Sequence, residues 1–300
     1  MKKKRTPNRH YLFIFILAFI LLEAVLFYSA NHRAELAEEE HQQKLEVLQN
    51  SLDAVPVLAK AVSVYDATAN EKLYGKGDDT PMPLASLAKI MTITTALERH
   101  SSDDLISISK DSLSQSGDYG LYLGEKWNVI DLAKLTLIES ANDGAYALSG
   151  GDPAFMKDME AKARRIGADQ SSFLTPTGLD ITNADGSVKA SAFASAEGVN
   201  QMAVFALREY PDVFGVTVLP AITLTSESGF THTFKNTDTI VSKIPNLLFS
   251  KTGYTNTAGG NLCIIFVNAA GHEIAVTVLG STFDGRFDDM ENLVKVLYDK

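Results

Sequence analysis

The spacing of apolar and polar positions divides the chain into unlike stretches. Residues 11–30 are almost wholly apolar, with Glu23 the single charge. Residues 32–53 are charged, lack glycine and proline and consist mostly of helix formers, which predicts a solvated helical stalk. Residues 57–66 read as a strand, 67–70 as a turn and 71–75 as a second strand, together a hairpin. Residues 86–100 read as a helix with Pro81 and Pro83 ahead of it. Residues 105–109 alternate like a short strand, and 131–148, 153–166 and 193–208 carry helical patterns. Late in the chain, 247–250, 262–267 and 273–279 are apolar strand runs, the last two joined by the turn Asn268-Ala269-Ala270-Gly271, and 288–298 closes as a helix. Strands at both ends and helices between them predict an α+β fold: an antiparallel sheet flanked by helices, with an all-helical subregion, preceded by a transmembrane helix.

The apolar run has the ~20 residues a helix needs to cross the hydrocarbon of a bilayer. A cleaved secretory signal has a shorter apolar core and small residues at the cut; Tyr28-Ser29-Ala30 matches that pattern weakly. The reading is an uncleaved signal-anchor, with cleavage left open by Glu23, a charge that is costly inside a membrane. Lys2, Lys3, Lys4, Arg5 and Arg9 precede it with no acidic residue among 1–10. Such a cluster stays in the cytoplasm, which exports the rest of the chain. The expected organisation is a cytoplasmic basic segment (1–10), a single membrane span (11–30), a stalk (31–54) and an extracytoplasmic catalytic domain (55–300).

Charge and cysteine usage narrow the classes further. Formal net charge is -10, and setting aside the five amino-terminal bases leaves 22 of the 27 basic residues against 37 acids in the exported body. Phosphate backbones would be repelled, so no nucleic acid partner is expected. The one cysteine, Cys263, sits in an apolar strand run and reads as a small buried hydrophobe. It can form no disulfide within the chain, and a cysteine-based zinc site is excluded by count. The six histidines form no His-Glu-x-x-His, and no Gly-x-Ser-x-Gly occurs.

Three short motifs carry candidate chemistry. In Ser86-Leu87-Ala88-Lys89 a helix would place the lysine amine one turn from the serine hydroxyl. A serine needs a base to take its proton, and a lysine can serve if burial or a second cation depresses its pKa. The same spacing recurs at Ser107-Ile108-Ser109-Lys110, but on a strand, where residues three apart face opposite ways. Ser86 opening a helix also fits a simple cap with a surface lysine. In Ser140-Ala141-Asn142 a hydroxyl could relay a proton and an amide could bind a carbonyl; a helix–turn junction explains the same residues, and Ser29-Ala30-Asn31 repeats the pattern at the membrane boundary. Lys251-Thr252-Gly253 follows an apolar strand run and offers a cation and a hydroxyl to an anionic terminus, with a glycine that lets a substrate backbone approach. A lysine–glycine turn is its structural alternative.

Taken in order, the three motifs match the serine-x-x-lysine, serine-x-asparagine and lysine-threonine-glycine set of penicillin-binding proteins and β-lactamases. With residues 83–92, 139–148, 175–180, 250–256 and 286–288, the chain resembles the low-molecular-mass penicillin-binding proteins, specifically the D-alanyl-D-alanine carboxypeptidases, from about Ala59 to Lys300. The resemblance implies a penicillin-binding transpeptidase-like fold and a serine-type hydrolase of peptidoglycan stem peptides. It implies Ser86 as nucleophile, Lys89 as proton acceptor and Ser140 as proton relay to the departing D-alanine. Asn142 would hold the substrate backbone, Lys251 and Thr252 the terminal carboxylate beside Gly253, and the N–H groups of Ser86 and Tyr254 the oxyanion. β-Lactam antibiotics are the implied acylating inhibitors, and neither metal nor cofactor is required. Two departures stand out: the chain ends with the helix that closes the catalytic domain, where many relatives add a β-rich domain and an amphipathic anchor, and its amino-terminal segment takes the anchor's place. A β-lactamase is the nearest rival, opposed by Ala141 and by the absence of Glu-x-x-Leu-Asn. A DD-endopeptidase cutting crosslinks and a non-catalytic penicillin-binding sensor remain alternatives.

Overall fold

The computed structural model describes residues 9–299, so the basic cluster Lys2–Arg5 lies outside the described residues. The chain divides into two compact units, Met1–Asn50 and Ser51–Lys300. The described residues of the first are helical throughout, as part of one continuous helix, α1 (Arg9–Asp53), with no break between the apolar run and the charged one. At 1.5 Å per residue it is ~68 Å long, and it is long and apolar enough to cross a membrane. Phe13, Phe15, Leu17 and Phe27 are exposed along it, as expected of a surface whose solvent is lipid.

The second unit is built on a five-stranded sheet. The chain enters it through β1 (Ala61–Asp66) and β2 (Glu71–Lys76), which form the expected hairpin over Asn70 in the left-handed region. The first strand begins at Ala61 and not at residue 57. The amides of Leu58 and Ala59 are taken instead by the Asp289 carboxylate, each at 2.8 Å. After β3 (Met82–Pro83) come a 3-10 turn, Ala85–Ala88, and helix α2 (Lys89–Arg99). Strand β4 (Leu105–Ser107), helix α3 (Lys110–Leu113) and strand β5 (Lys126–Asn128) lead to helices α4 (Val129–Ile138), α5 (Asn142–Ser149) and α6 (Pro153–Arg165). Short strands β6 (Ser172–Phe173), β7 (Ile181–Thr182), β8 (Val188–Lys189) and β9 (Ala192–Ala194) precede helices α7 (Ala196–Glu209) and α8 (Pro211–Phe214). A polar hairpin, β10 (Ala221–Thr225) and β11 (Thr231–Lys235), comes next; its threonine-rich alternation escaped the apolar pattern. Three long strands, β12 (Leu247–Thr255), β13 (Gly259–Val267) and β14 (Glu273–Ser281), and helix α9 (Gly285–Leu297) complete the chain.

The sheet order is β12-β13-β14-β1-β2, antiparallel throughout. The fold is therefore α+β. Strands β13 and β14 are buried almost along their whole length because α7 and α9 both pack on them, which accounts for their unbroken apolar runs. Cys263 lies in this interior, its thiol pushed up to about 12 by burial. A second apolar layer joins α2, α4, α5 and α6 through Ile90, Met91, Leu132, Leu148 and Phe155. Side-chain caps set several helix starts: Asn128 for α4, Asp152 for α6 and Ser195 for α7. The Ser195 cap explains why Phe193, expected to open a helix, instead belongs to β9.

The expected helix over 131–148 is two helices. Ser140 sits between α4 and α5 with φ +61°, a conformation costly for any residue with a Cβ. The break is locked from outside: the amide of Thr237 donates to the Ile138 carbonyl at 3.1 Å, and the amide of Lys235 donates to the Glu139 carboxylate. Gly144 then lets α5 lie close on α4, since a Cβ there would fall 2.2 Å from Thr136 Oγ1.

Candidate active site

Ser86 lies in the 3-10 turn that precedes α2, and not in the first α-helical turn expected for it. Ala85 before it has φ +48°, so the nucleophile candidate sits on a strained corner, as reactive residues often do. Two neighbours hold that corner. A Cβ on Gly178 would fall 1.9 Å from the Ala85 carbonyl oxygen. A Cβ on Gly253 would fall 2.7 Å from the Leu84 oxygen and 3.2 Å from the Ser86 nitrogen. The glycine of the third motif thus admits the Ser86 turn, a role beyond the substrate approach expected of it. Asn261 adds a tie by donating to the Pro83 carbonyl at 2.9 Å.

Lys89 is 0% exposed, and its Nζ lies 2.8 Å from Ser86 Oγ, 2.7 Å from Asn142 Oδ1 and 2.9 Å from the Thr177 carbonyl oxygen. The last two can only accept. They consume two amine N–H groups and leave the third direction facing a hydroxyl that can donate. Burial, reinforced by the charge of Lys251, holds the Lys89 amine well below the ordinary lysine range. A neutral amine in this setting can accept the Ser86 proton.

Asn142 opens α5 and is itself buried. Its Nδ2 donates to the Ser116 carbonyl at 2.7 Å and to Tyr119 Oη at 2.8 Å. Next to it, burial raises the Asp143 carboxyl to about 6. The twist at Ser140 turns its hydroxyl away from the helix axis toward the sheet, where it accepts from Lys251 Nζ at 2.9 Å. Lys251 also donates to the Thr252 carbonyl at 2.9 Å. It is 1% exposed, and burial, helped by the Arg286 charge, lowers it to about 7. Thr252 Oγ1 lies 2.6 Å from Thr237 Oγ1. Lys251 and Thr252 ride on β12, an edge strand that has no outer partner strand among the described residues. Tyr254, two residues on, is half-exposed and packs edge-on against Phe283 at 4.9 Å.

The structure therefore joins Ser86, Lys89 and Asn142 in one hydrogen-bonded cluster, and Ser140, Lys251 and Thr252 in another, with Gly253 seated against the Ser86 turn. The second serine-x-x-lysine copy is not part of either: Ser107 ends β4, Lys110 starts α3 and both are exposed. Ser29 of the membrane-boundary copy only returns a hydrogen bond to the Leu26 carbonyl within α1. Three contributors had no role expected from the sequence, although Thr177 and Arg286 lie in the stretches 175–180 and 286–288 that carry the resemblance. Thr177 supplies a carbonyl, which any residue could. Tyr119 reaches in from a loop. Arg286 is 4% exposed, with its guanidinium 4.5 Å from both Phe283 and Phe287 rings and its Nε and Nη1 without hydrogen-bond partners. Among the described residues no cluster of three or more His, Cys, Asp or Glu side chains could hold a metal ion.

A family model described as D-alanyl-D-alanine carboxypeptidase matches residues 48–282. A D-alanyl-D-alanine endopeptidase of Pseudomonas aeruginosa is 30% identical over 205 residues, covering 65% of this chain and 63% of that protein. A D-alanyl-D-alanine carboxypeptidase of Mycobacterium tuberculosis is 26% identical over 200 residues, covering 65% and 66%. The chain thus spans just under two thirds of the length of these curated relatives. Among solved structures, penicillin-binding protein D2 of Listeria monocytogenes in an ampicillin-bound form superposes with a TM-score of 0.68 at 30% identity, over 80% of this chain and 97% of that one.

Proposed function

The chain belongs to the D-alanyl-D-alanine carboxypeptidase family, and from that premise we propose that it removes the terminal D-alanine from peptidoglycan stem peptides through an acyl-enzyme on Ser86. The observation that carries this reading is the Lys89 amine, stripped of water, 2.8 Å from Ser86 Oγ with its other N–H groups spent on obligate acceptors. Ser86 attacks the carbonyl between the two D-alanines while Lys89 takes its proton. The oxyanion is met by the N–H groups of Ser86 and Tyr254. Ser140, bonded to Lys251, passes a proton to the departing amine. Lys251 and Thr252 receive the substrate carboxylate, in a field made more positive by Arg286. Water on the acyl-enzyme completes turnover, and Ser86 is the same atom that a β-lactam would acylate.

The membrane-length helix α1 holds the body at a bilayer, with the basic segment on the cytoplasmic side and residues 55–300 on the extracytoplasmic side. The test of the main reading is D-alanine release by the full chain from a peptide ending in D-Ala-D-Ala, with Ser86→Ala alongside. Release that disappears in the variant supports it; no release from folded wild type sinks it. A second reading, cleavage of crosslinks, is favoured by the name of the P. aeruginosa relative. Turnover of a crosslinked muropeptide dimer in preference to the linear peptide would select it.

A further inference from the structure

The side-chain amide of Asn142 is fully committed within this chain. Its oxygen takes a hydrogen bond from Lys89 at 2.7 Å, and because the Ser116 carbonyl on the opposite side can only accept, the nitrogen must face that carbonyl and cannot exchange places with the oxygen. Both N–H groups of Nδ2 therefore face the other way, to the Ser116 carbonyl at 2.7 Å and the Tyr119 phenol at 2.8 Å. An amide nitrogen has two hydrogens, and none is left for a ligand. Yet the resemblance implies that Asn142 holds the substrate backbone, and its nitrogen could do so only by donating to a substrate carbonyl, the one on the acyl side of the scissile bond.

The two acceptors come from one surface segment. Residues 113–120 are exposed or half-buried, while Ser112, Leu121 and Glu125 on either side are buried. Gly117 and Gly120 have φ of +107° and +77°, so the segment carries two glycine hinges, with Gly124 at +78° just beyond it. Residues 113–115 are tied back to the α3 turn, with Ser114 Oγ and Gln115 Nε2 both donating to the Asp111 carbonyl at 2.7 and 3.2 Å, but over 116–120 the internal tie is the Gly120 amide donating to Asp118 Oδ1 at 3.0 Å. The phenol is seated by close packing of its own loop, since a Cβ on Gly117 would fall 2.6 Å from both Tyr119 Cε2 and Oη. A phenol is also the kind of acceptor that can leave: it is neutral, and it recovers a hydrogen bond to water once it swings out.

We propose that Tyr119 gates the acyl-side subsite: its hydroxyl occupies the Asn142 N–H that an incoming acylamide carbonyl must take, and ligand binding displaces Tyr119 together with the glycine-hinged segment 115–121. Tyr119 is a specificity-determining residue in this arrangement and touches none of the reacting atoms. The inference rests on the carboxypeptidase reading for the identity of the natural ligand, but it makes a demand of any ligand that places a carbonyl on Asn142.

The test is the second-order rate of Ser86 acylation, followed by intact-protein mass on the full chain. Two probes are used: benzylpenicillin, which carries an acylamide carbonyl, and a carbapenem, which carries none. Tyr119→Phe keeps the ring and removes the competing oxygen. It should accelerate acylation by benzylpenicillin by about three- to tenfold, the worth of one hydrogen bond that no longer has to be broken, and leave the carbapenem rate unchanged. Gly117→Ala, which pushes the phenol off its seat without altering it, should shift the two rates in the same sense. A Tyr119→Phe rate that falls with both probes would make the tyrosine a positioning residue for Asn142 and overturn the gate. Equal gains with both probes would do so as well, by marking general loosening of the site. Absence of D-alanine release with these acylation rates intact would remove the peptide substrate and leave the gate standing.

Discussion

This chain carries the serine-x-x-lysine spacing twice, and the two copies have opposite fates. Lys89 is buried beside Ser86, Asn142 and Thr177, and its amine is pulled well below the ordinary lysine range by burial first and by the neighbouring Lys251 second. Lys110 begins a four-residue helix on the surface, three positions from a serine that ends a strand. The lesson is that the motif encodes a distance and not a reactivity. Reactivity comes from desolvation, and desolvation is a property of the four segments that close around Lys89.

The largest expected contrast lies in the two serines. Ser86→Ala should abolish covalent labelling by a β-lactam in intact-protein mass, while Ser107→Ala labels like wild type; labelling of Ser86→Ala would end the comparison. The lysines follow. Lys89→Ala should slow acylation by ~10²–10⁴-fold, the usual worth of a positioned base, whereas Lys110→Ala leaves the rate alone. A smaller loss is expected from Gly253→Ala. Its Cβ would meet the Leu84 carbonyl at 2.7 Å and displace the Ser86 turn; a shift of ~1 Å costs up to ~10²-fold in rate, visible as lower acylation with Lys89 intact.

The pH profile sharpens the contrast between buried lysines. Lys89 must be neutral to accept a proton, so acylation falls as pH drops through its lowered pKa and is full above it. Lys251 must be charged to hold a carboxylate, and its value is about 7, so KM for an anionic peptide should climb as pH rises past that point. Lys251→Met should raise KM and flatten that alkaline limb; an unchanged limb would assign it to another group. The smallest effect is on stability: Lys110→Ala should change unfolding free energy by no more than ~0.5 kcal/mol in denaturant titration.

Much of the fold was readable because it depends on period and punctuation. The runs of β13 and β14, the hairpin turn at Asn268 and the helical spacing of α6 and α9 are local patterns. The failures have identifiable causes. The break at Ser140 was hidden because apolar spacing continues straight through it; the contacts that hold it open come from Lys235 and Thr237, about a hundred residues away. Hairpin β10–β11 was missed because its threonine-rich alternation lacks an apolar face on the exposed positions. Thr177 and Arg286 lie in stretches that carry the resemblance, but their roles, like that of Tyr119, were not legible, since a carbonyl, a loop phenol and a buried guanidinium form no spacing with the motifs they serve.

The sequence by itself determined the class of fold, the membrane-length helix, and the three short strings from which the site is made, because secondary-structure period, hydrophobic length and the order of motifs are written in neighbouring residues. Tertiary structure alone decided which copy of a motif is buried and hydrogen-bonded, why Gly253 must lack a side chain, and that Asn142 meets Tyr119 across the cleft. Those outcomes depend on burial and on the orientation of single donors and acceptors, and both arise only when segments distant in the chain exclude water together.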